Sequence, residues 1–293
     1  MKYSKLLGLG LLLAGCDDPL KSVELVAEPR VLGARVEVMG EPERAAPAPG
    51  ETATATFWLA APALSPSLGF ALAACPAAVR NGARGACDGE VFAELRRENG
   101  EASAASLTFQ VPSGLDPSGR VLLFGVICPD GSPGADAERC DGADPGTPLQ
   151  LELDLARDGD TNLNPELQAD AVRFDDEPWP EPTPVEGSCV GLGFPEVDLK
   201  SKHDVTVLLD ESDRDELPRP SQLDPARESL QLSHFVSGGD IARAFETIAW
   251  DSDELTRSVS WTAPDAPGLT RFWLVLRDFR GGSALATRAV CVR

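Results

Sequence analysis

Leu149-Gln150-Leu151-Glu152-Leu153-Asp154-Leu155 alternates apolar and polar residues without a break. Successive side chains of an extended strand point to opposite faces, so this heptad puts leucines on one face and polar residues on the other. It predicts a strand half buried against a core. The same signal recurs upstream at Val31–Val38, Thr52–Ala60, Leu68–Cys75, Val91–Arg97, Ser106–Val111 and Val121–Cys128. Pro49-Gly50, Asn81-Gly82, Pro112-Ser113-Gly114 and Asp130-Gly131 punctuate these runs as turns. Seven short strands broken by turns suit an antiparallel sandwich.

The second half repeats the scheme, with candidates at Val190–Val197, Asp204–Leu209, Ser229–Phe235, Phe245–Ala249, Arg257–Trp261, Thr270–Arg277 and Ala284–Val292. Near its end come Trp261-Thr262-Ala263-Pro264, Asp265-Ala266-Pro267-Gly268, the apolar run Phe272–Leu276, and Asp278 before Gly281-Gly282. This order looks like the last strands of bacterial immunoglobulin-like and PKD-like extracellular modules. The resemblance implies a β-sandwich that binds or spaces, and no catalytic residues. It departs from the antibody pattern, because the cysteine sits in the final strand and not opposite a core tryptophan. The expected fold is therefore all-β: two tandem immunoglobulin-like antiparallel β-sandwiches, over residues 16–157 and 185–293. Residues 158–184 separate them, and Asp175-Asp176-Glu177-Pro178-Trp179-Pro180-Glu181-Pro182 reads there as an acidic, proline-stiffened linker. The polar stretch from Asp213 to Glu228, with Pro218, Pro220 and Pro225, reads as an exposed loop.

Residues 1–15 read as a signal peptide. Lys2 and Lys5 form a positive start, and Leu6–Leu13 is apolar but too short to span a bilayer. Leu13-Ala14-Gly15-Cys16 then resembles the bacterial lipobox. That resemblance implies a diacylglyceryl thioether on Cys16, cleavage before it, and acylation of the new amino group. One acyl chain anchors marginally and two or more anchor stably. The expected location is the cell envelope, lipid-anchored through Cys16, on the inner or the outer membrane. Asp17 and Asp18 resemble an inner-membrane retention signal of enteric bacteria, but an Ala-, Arg-, Gly- and Pro-rich chain does not look enteric.

Six further cysteines remain: Cys75, Cys87, Cys128, Cys140, Cys189 and Cys291. An even number in an exported chain reads as disulfides. Cys189 and Cys291 bracket the second half. In the first half, two loops of equal length favour the local pairs Cys75–Cys87 and Cys128–Cys140, with Cys75–Cys128 and Cys87–Cys140 as the rival. With no CxxC pair and 2 histidines, zinc is not expected.

Formal net charge is −21 over 293 residues, and loss of Lys2 and Lys5 with the signal takes it to about −23. Such a surface repels phosphate backbones, which argues against nucleic acid as a partner. No P-loop, HExxH, Gly-x-Ser-x-Gly or dinucleotide fingerprint is present. His203, between Lys202 and Asp204, reads as a surface residue, and His234 as facing a loop or neighbour. Asp158, Asp160 and Asn162 stand at alternate positions, followed by Asn164 and Glu166, as oxygen ligands do in a calcium loop. Leu163 stands where that loop needs glycine, and Ala169 where it needs its last acid. Turn-capping before Pro165 fits these residues better, so no metal and no cofactor is expected. The expected role is non-catalytic: an envelope lipoprotein presenting a binding or scaffolding surface to another envelope protein or a polysaccharide. A calcium-dependent adhesion or carbohydrate-binding module comes second, and a carboxylate-dependent hydrolase third.

Overall fold

The computed structural model describes residues 22–61, 68–78, 85–102, 104–129, 131–135, 139–142, 146–157, 162–181, 189, 193–217 and 225–293. The lipobox and Cys16 lie outside them. Seven strands build the first sandwich: β1 (Arg30–Val38), β2 (Thr52–Ala60), β3 (Leu68–Pro76), β4 (Ala93–Ala102), β5 (Ala105–Gln110), β6 (Arg120–Cys128) and β7 (Thr147–Asp154). They form one sheet in the order β1-β2-β5 and a second in the order β4-β3-β6-β7, all antiparallel. Residue alternation decides which faces meet. In β2, Ala53, Ala55 and Phe57 turn inward while Thr52, Thr54 and Thr56 do not. In β7, Leu149 and Leu153 are buried, and Gln150, Glu152 and Asp154 are exposed. Phe70, Leu72, Leu107, Phe109, Leu123 and Ile127 complete the core. Gly125 lets β3 and β6 approach, since a Cβ there would lie 2.0 Å from the Ala71 carbonyl oxygen.

Disulfides join Cys75 to Cys87 and Cys128 to Cys140, each tying a loop back to the end of the strand it leaves. The local pairing thus holds and the crossed one does not. Cys189–Cys291 links the approach to the second sandwich with its last strand.

Ten strands build the second sandwich. They are β8 (Val172–Phe174), β9 (Glu177–Pro178), β10 (Glu196–Val197), β11 (Lys202–Leu208), β12 (Leu230–Val236), β13 (Asp240–Ile241), β14 (Phe245–Ile248), β15 (Thr256–Thr262), β16 (Gly268–Arg277) and β17 (Ser283–Val292). One sheet runs β10-β17-β16-β12-β14, the other β13-β15-β11-β8-β9, and only β10–β17 is parallel. Trp179, Trp261 and Phe272 interlock at the centre, with ring centroids 4.9–5.0 Å apart and near-perpendicular planes.

Two expectations are corrected here. Within the stretch expected as a linker, the described residues 162–181 are not free: Val172 and Phe174 lie in a strand paired with β11, and Trp179 is 1% exposed in the core. Acids and prolines dominate residues 175–181, but they occupy outward positions there, so average composition hides the inward Trp179. Among the described residues, the strand expected over Val190–Val197 is formed at Glu196–Val197, and residues 190–192 lie outside them.

The two sandwiches pack against each other. Val26, Leu32, Ala60, Trp273 and Val275 form a separate apolar cluster across the junction. Asn164 spans it, donating to the Val36 carbonyl of β1 at 2.7 Å and accepting from Ser283 N of β17 at 3.1 Å. Arg35 donates to the Ser283 carbonyl at 3.0 Å, and the Arg277 guanidinium donates to the Leu32 carbonyl.

Candidate functional site

The strand β14 is an outer edge of its sheet, hydrogen-bonded on one side only, to β12. Beside it an open groove of about 550 Å³ is lined by Arg243, Phe245, Glu246 and Thr247 on one wall and Glu254, Thr256, Arg257 and Ser258 on the other. The Phe245 ring is 58% exposed. Strand geometry explains this: Phe245 alternates with Glu246, whose side chain packs inward and pairs with Arg243 at 2.8 Å. Arg257 is held against its own wall by donating to the Glu254 and Thr256 carbonyls at 2.8 and 2.9 Å. The walls therefore carry two guanidinium groups, two carboxylates and several hydroxyls around one aromatic face. Such a lining suits a polar, hydrogen-bonding ligand with a flat apolar side.

The calcium-loop pattern is not assembled where it can be seen. Asp158 and Asp160 lie outside the described residues. Asn162 and Asn164 are buried, Asn164 being committed to the junction, while Glu166 is exposed and accepts from Gln168 Nε2 at 2.7 Å. Among the described residues no three His, Cys, Asp or Glu side chains are grouped to hold a metal ion.

A carboxylate cluster that no sequence motif announces sits beside the junction. Asp278 accepts from the backbone N–H of Arg280 at 2.7 Å and of Gly282 at 2.9 Å. Glu228 accepts from Asp215 N at 3.0 Å, and Arg280 lies 3.5 Å from Glu228 and 3.9 Å from Asp215. Burial pushes the Asp278 carboxyl up to about 6. Burial, reinforced by the neighbouring Asp278 and Asp215 charges, pushes Glu228 up to about 8.

His203 departs from expectation, and His234 is buried against its neighbours, the Arg243 backbone among them. The His203 side chain is only 15% exposed and stacks on Phe174 at 4.9 Å. Its Nδ1 lies 2.6 Å from Asp175 Oδ2 and its Nε2 2.7 Å from Ser201 Oγ. His234 is 1% exposed, on the same side of β12 as the core residues Leu232 and Val236. Burial lowers its pKa to about 4. The folded state keeps this imidazole neutral while the unfolded chain takes a proton below about 6.5. Stability is thus lost as pH falls from about 6.5 towards 4, by up to about 3 kcal/mol. His234→Leu should remove that part of the loss. Urea unfolding at pH 5 and pH 7 measures it, and an unchanged difference between the two pH values would count against the assignment.

The fold defines a protein of two tandem antiparallel β-sandwiches stapled by disulfides. No protein-family model matches the sequence, and no curated protein matches it either. Among solved structures the chain is similar to the adhesin InvE of Yersinia pseudotuberculosis, with 11% identity and a TM-score of 0.25, over 88% of this chain and 58% of that one. It is similar to a glycosyl hydrolase family 2 member from Bacteroides cellulosilyticus DSM 14838, with 10% identity and a TM-score of 0.22, over 89% of this chain and 28% of that one. It is also similar to the Enterococcus faecalis MSCRAMM ACE, with 8% identity and a TM-score of 0.19, over 88% and 94%. Scores this low transfer no function.

Proposed function

We propose that the chain is an envelope lipoprotein, held to a membrane by lipid on Cys16, whose paired sandwiches bind a partner without turning it over. The observation that carries the binding role is the open groove at the β14 edge, with its exposed Phe245 among paired charges and hydroxyls. Sandwich proteins place their recognition surfaces at edges and end loops, on a scaffold that does not deform. The strongly negative chain, at −21, repels nucleic acid and anionic headgroups, which leaves an envelope protein or a polysaccharide as the partner. Polysaccharide is the reading that Phe245 favours, because the flat face of a sugar ring stacks on an exposed aromatic while its hydroxyls reach Arg, Glu, Thr and Ser.

Two measurements test this. Cys16→Ser should leave an unprocessed precursor that incorporates no labelled fatty acid, and labelling that persists would refute the anchor. Titration of the detergent-extracted protein with soluble envelope polysaccharides should show binding that Phe245→Ala weakens at least tenfold. Binding to an envelope protein, undisturbed by Phe245→Ala, would move the site away from the groove.

A further inference from the structure

Three segments distant in sequence converge on one hydrogen-bonded row. Asp175 comes from the tight turn between β8 and β9, where Asp175 and Asp176 both adopt positive φ, at 49° and 67°. Ser201 ends the turn that enters β11, closed by Ser201 N donating to the Asp198 carbonyl at 3.2 Å. His203 is the second residue of β11. From these we propose that Ser201 is a serine nucleophile, activated by His203 as general base and Asp175 as positioning residue, that attacks small activated carboxylic esters. The proposal goes beyond the binding role and does not rest on it.

The geometry supports each assignment. Asp175 Oδ2 lies 2.6 Å from His203 Nδ1, so that nitrogen carries the proton and Nε2 faces Ser201 Oγ at 2.7 Å as an acceptor. Asp175 cannot swing away, because its other oxygen accepts from Asp204 N at 2.9 Å and its own N–H donates to the Asp204 carbonyl at 2.9 Å. The imidazole plane is fixed by stacking on Phe174, with 23° between rings. Ser201 is half-buried and its neighbours Lys200 and Lys202 are exposed. Those two are the only lysines beyond Lys21 in a chain of net charge −21. Both residues flank Ser201 in sequence, and positive charge near a tetrahedral oxyanion favours the anion.

The Ser201 hydroxyl has a second acceptor, the Asp198 carbonyl at 2.5 Å. When His203 is protonated, Nε2–H donates to Ser201 Oγ and the hydroxyl donates to Asp198, so the nucleophile is locked. When the imidazole is neutral, the hydroxyl turns to Nε2. The reaction then balances as follows. Ser201 Oγ bonds to the ester carbonyl carbon while Nε2 takes its proton. The carbon–oxygen bond to the leaving group breaks, and that oxygen takes the proton from Nε2. Water attacks the acyl-serine in the same way, giving the carboxylic acid and restoring Ser201.

The test uses the full-length protein in detergent and a fluorophosphonate probe, with the adduct located by mass spectrometry. We expect the adduct on Ser201, absent in Ser201→Ala. His203→Ala should slow labelling at least 100-fold and Asp175→Asn at least tenfold, the range general-base assistance supplies. Labelling of the wild type should depend on pH, and that dependence should vanish in His203→Ala. A purely structural row would alter melting without producing this pH profile. His203→Gln, which keeps one N–H contact, serves if His203→Ala does not fold. Absence of an adduct on Ser201, or equal labelling in the wild type and the folded His203 variant, would overturn the proposal.

Discussion

Trp179→Ala should destabilise the protein by about 3–5 kcal/mol, the usual cost of emptying a large aromatic site in a core. The indole is 1% exposed and meets Phe272 edge-on at 4.9 Å and Phe174 at 4.9 Å. Its Nε1–H donates to the Ala289 carbonyl at 3.1 Å, and its own carbonyl accepts from Arg288 Nε at 2.7 Å. Removing the ring deletes the packing and strips the Ala289 carbonyl of this donor, a further cost of about 1 kcal/mol where the group is buried. Urea unfolding should show a lower midpoint with an unchanged slope. The same substitution in a solvated linker would change stability by less than about 0.5 kcal/mol, so the measurement separates the two descriptions of residues 171–179 cleanly.

Glu228→Gln should stabilise the protein above neutral pH. Glu228 is 3% exposed and ionises near 8 when folded, against an ordinary 4.5. A carboxyl whose folded pKa is raised favours folding while the folded state holds the extra proton. As pH climbs from 4.5 to 8 the unfolded chain ionises freely and the folded chain does not, so stability falls through that window. The total is on the order of 4 kcal/mol. Asp278, at about 6, adds a smaller loss between about 3.8 and 6. His234 works in the opposite direction between 4 and 6.5. Above 6.5 the Glu228 carboxyl dominates. Glutamine keeps an oxygen to accept from Asp215 N and carries no charge, so the variant should be flat between pH 6.5 and 8.5. A variant as pH-sensitive there as the wild type would mean that the slope comes from elsewhere.

The strands of the first sandwich were legible in sequence to within about two residues at most ends, because period-two patterning is a local property. Thr52-Ala53-Thr54-Ala55-Thr56-Phe57 declares its buried face without reference to any other strand. Trp179 was not legible, because four acids and two prolines surround it over residues 175–181 and their outward placement depends on pairing with β11. The same limit applies to chemistry. Asp215, Glu228 and Asp278 share an environment only because loops from different strands meet at the junction. His203 and Ser201 are adjacent in any reading, but Asp175, 26 residues earlier, joins them only once β8 lies against β11. In the calcium-loop pattern, Asn164 has the right spacing, yet tertiary packing claims its carboxamide for Val36 and Ser283, and Asp158 and Asp160 lie outside the described residues.

The Asn164 carboxamide and the apolar seam around Trp273 also decide how load travels through the molecule. Load on the second sandwich passes to the first through β17 and β1, side by side. Contacts loaded in parallel share a shearing force, so they part together and at higher force than a single thread bearing them in turn. Two sandwiches joined this way move as one stiff body, with little slack between them.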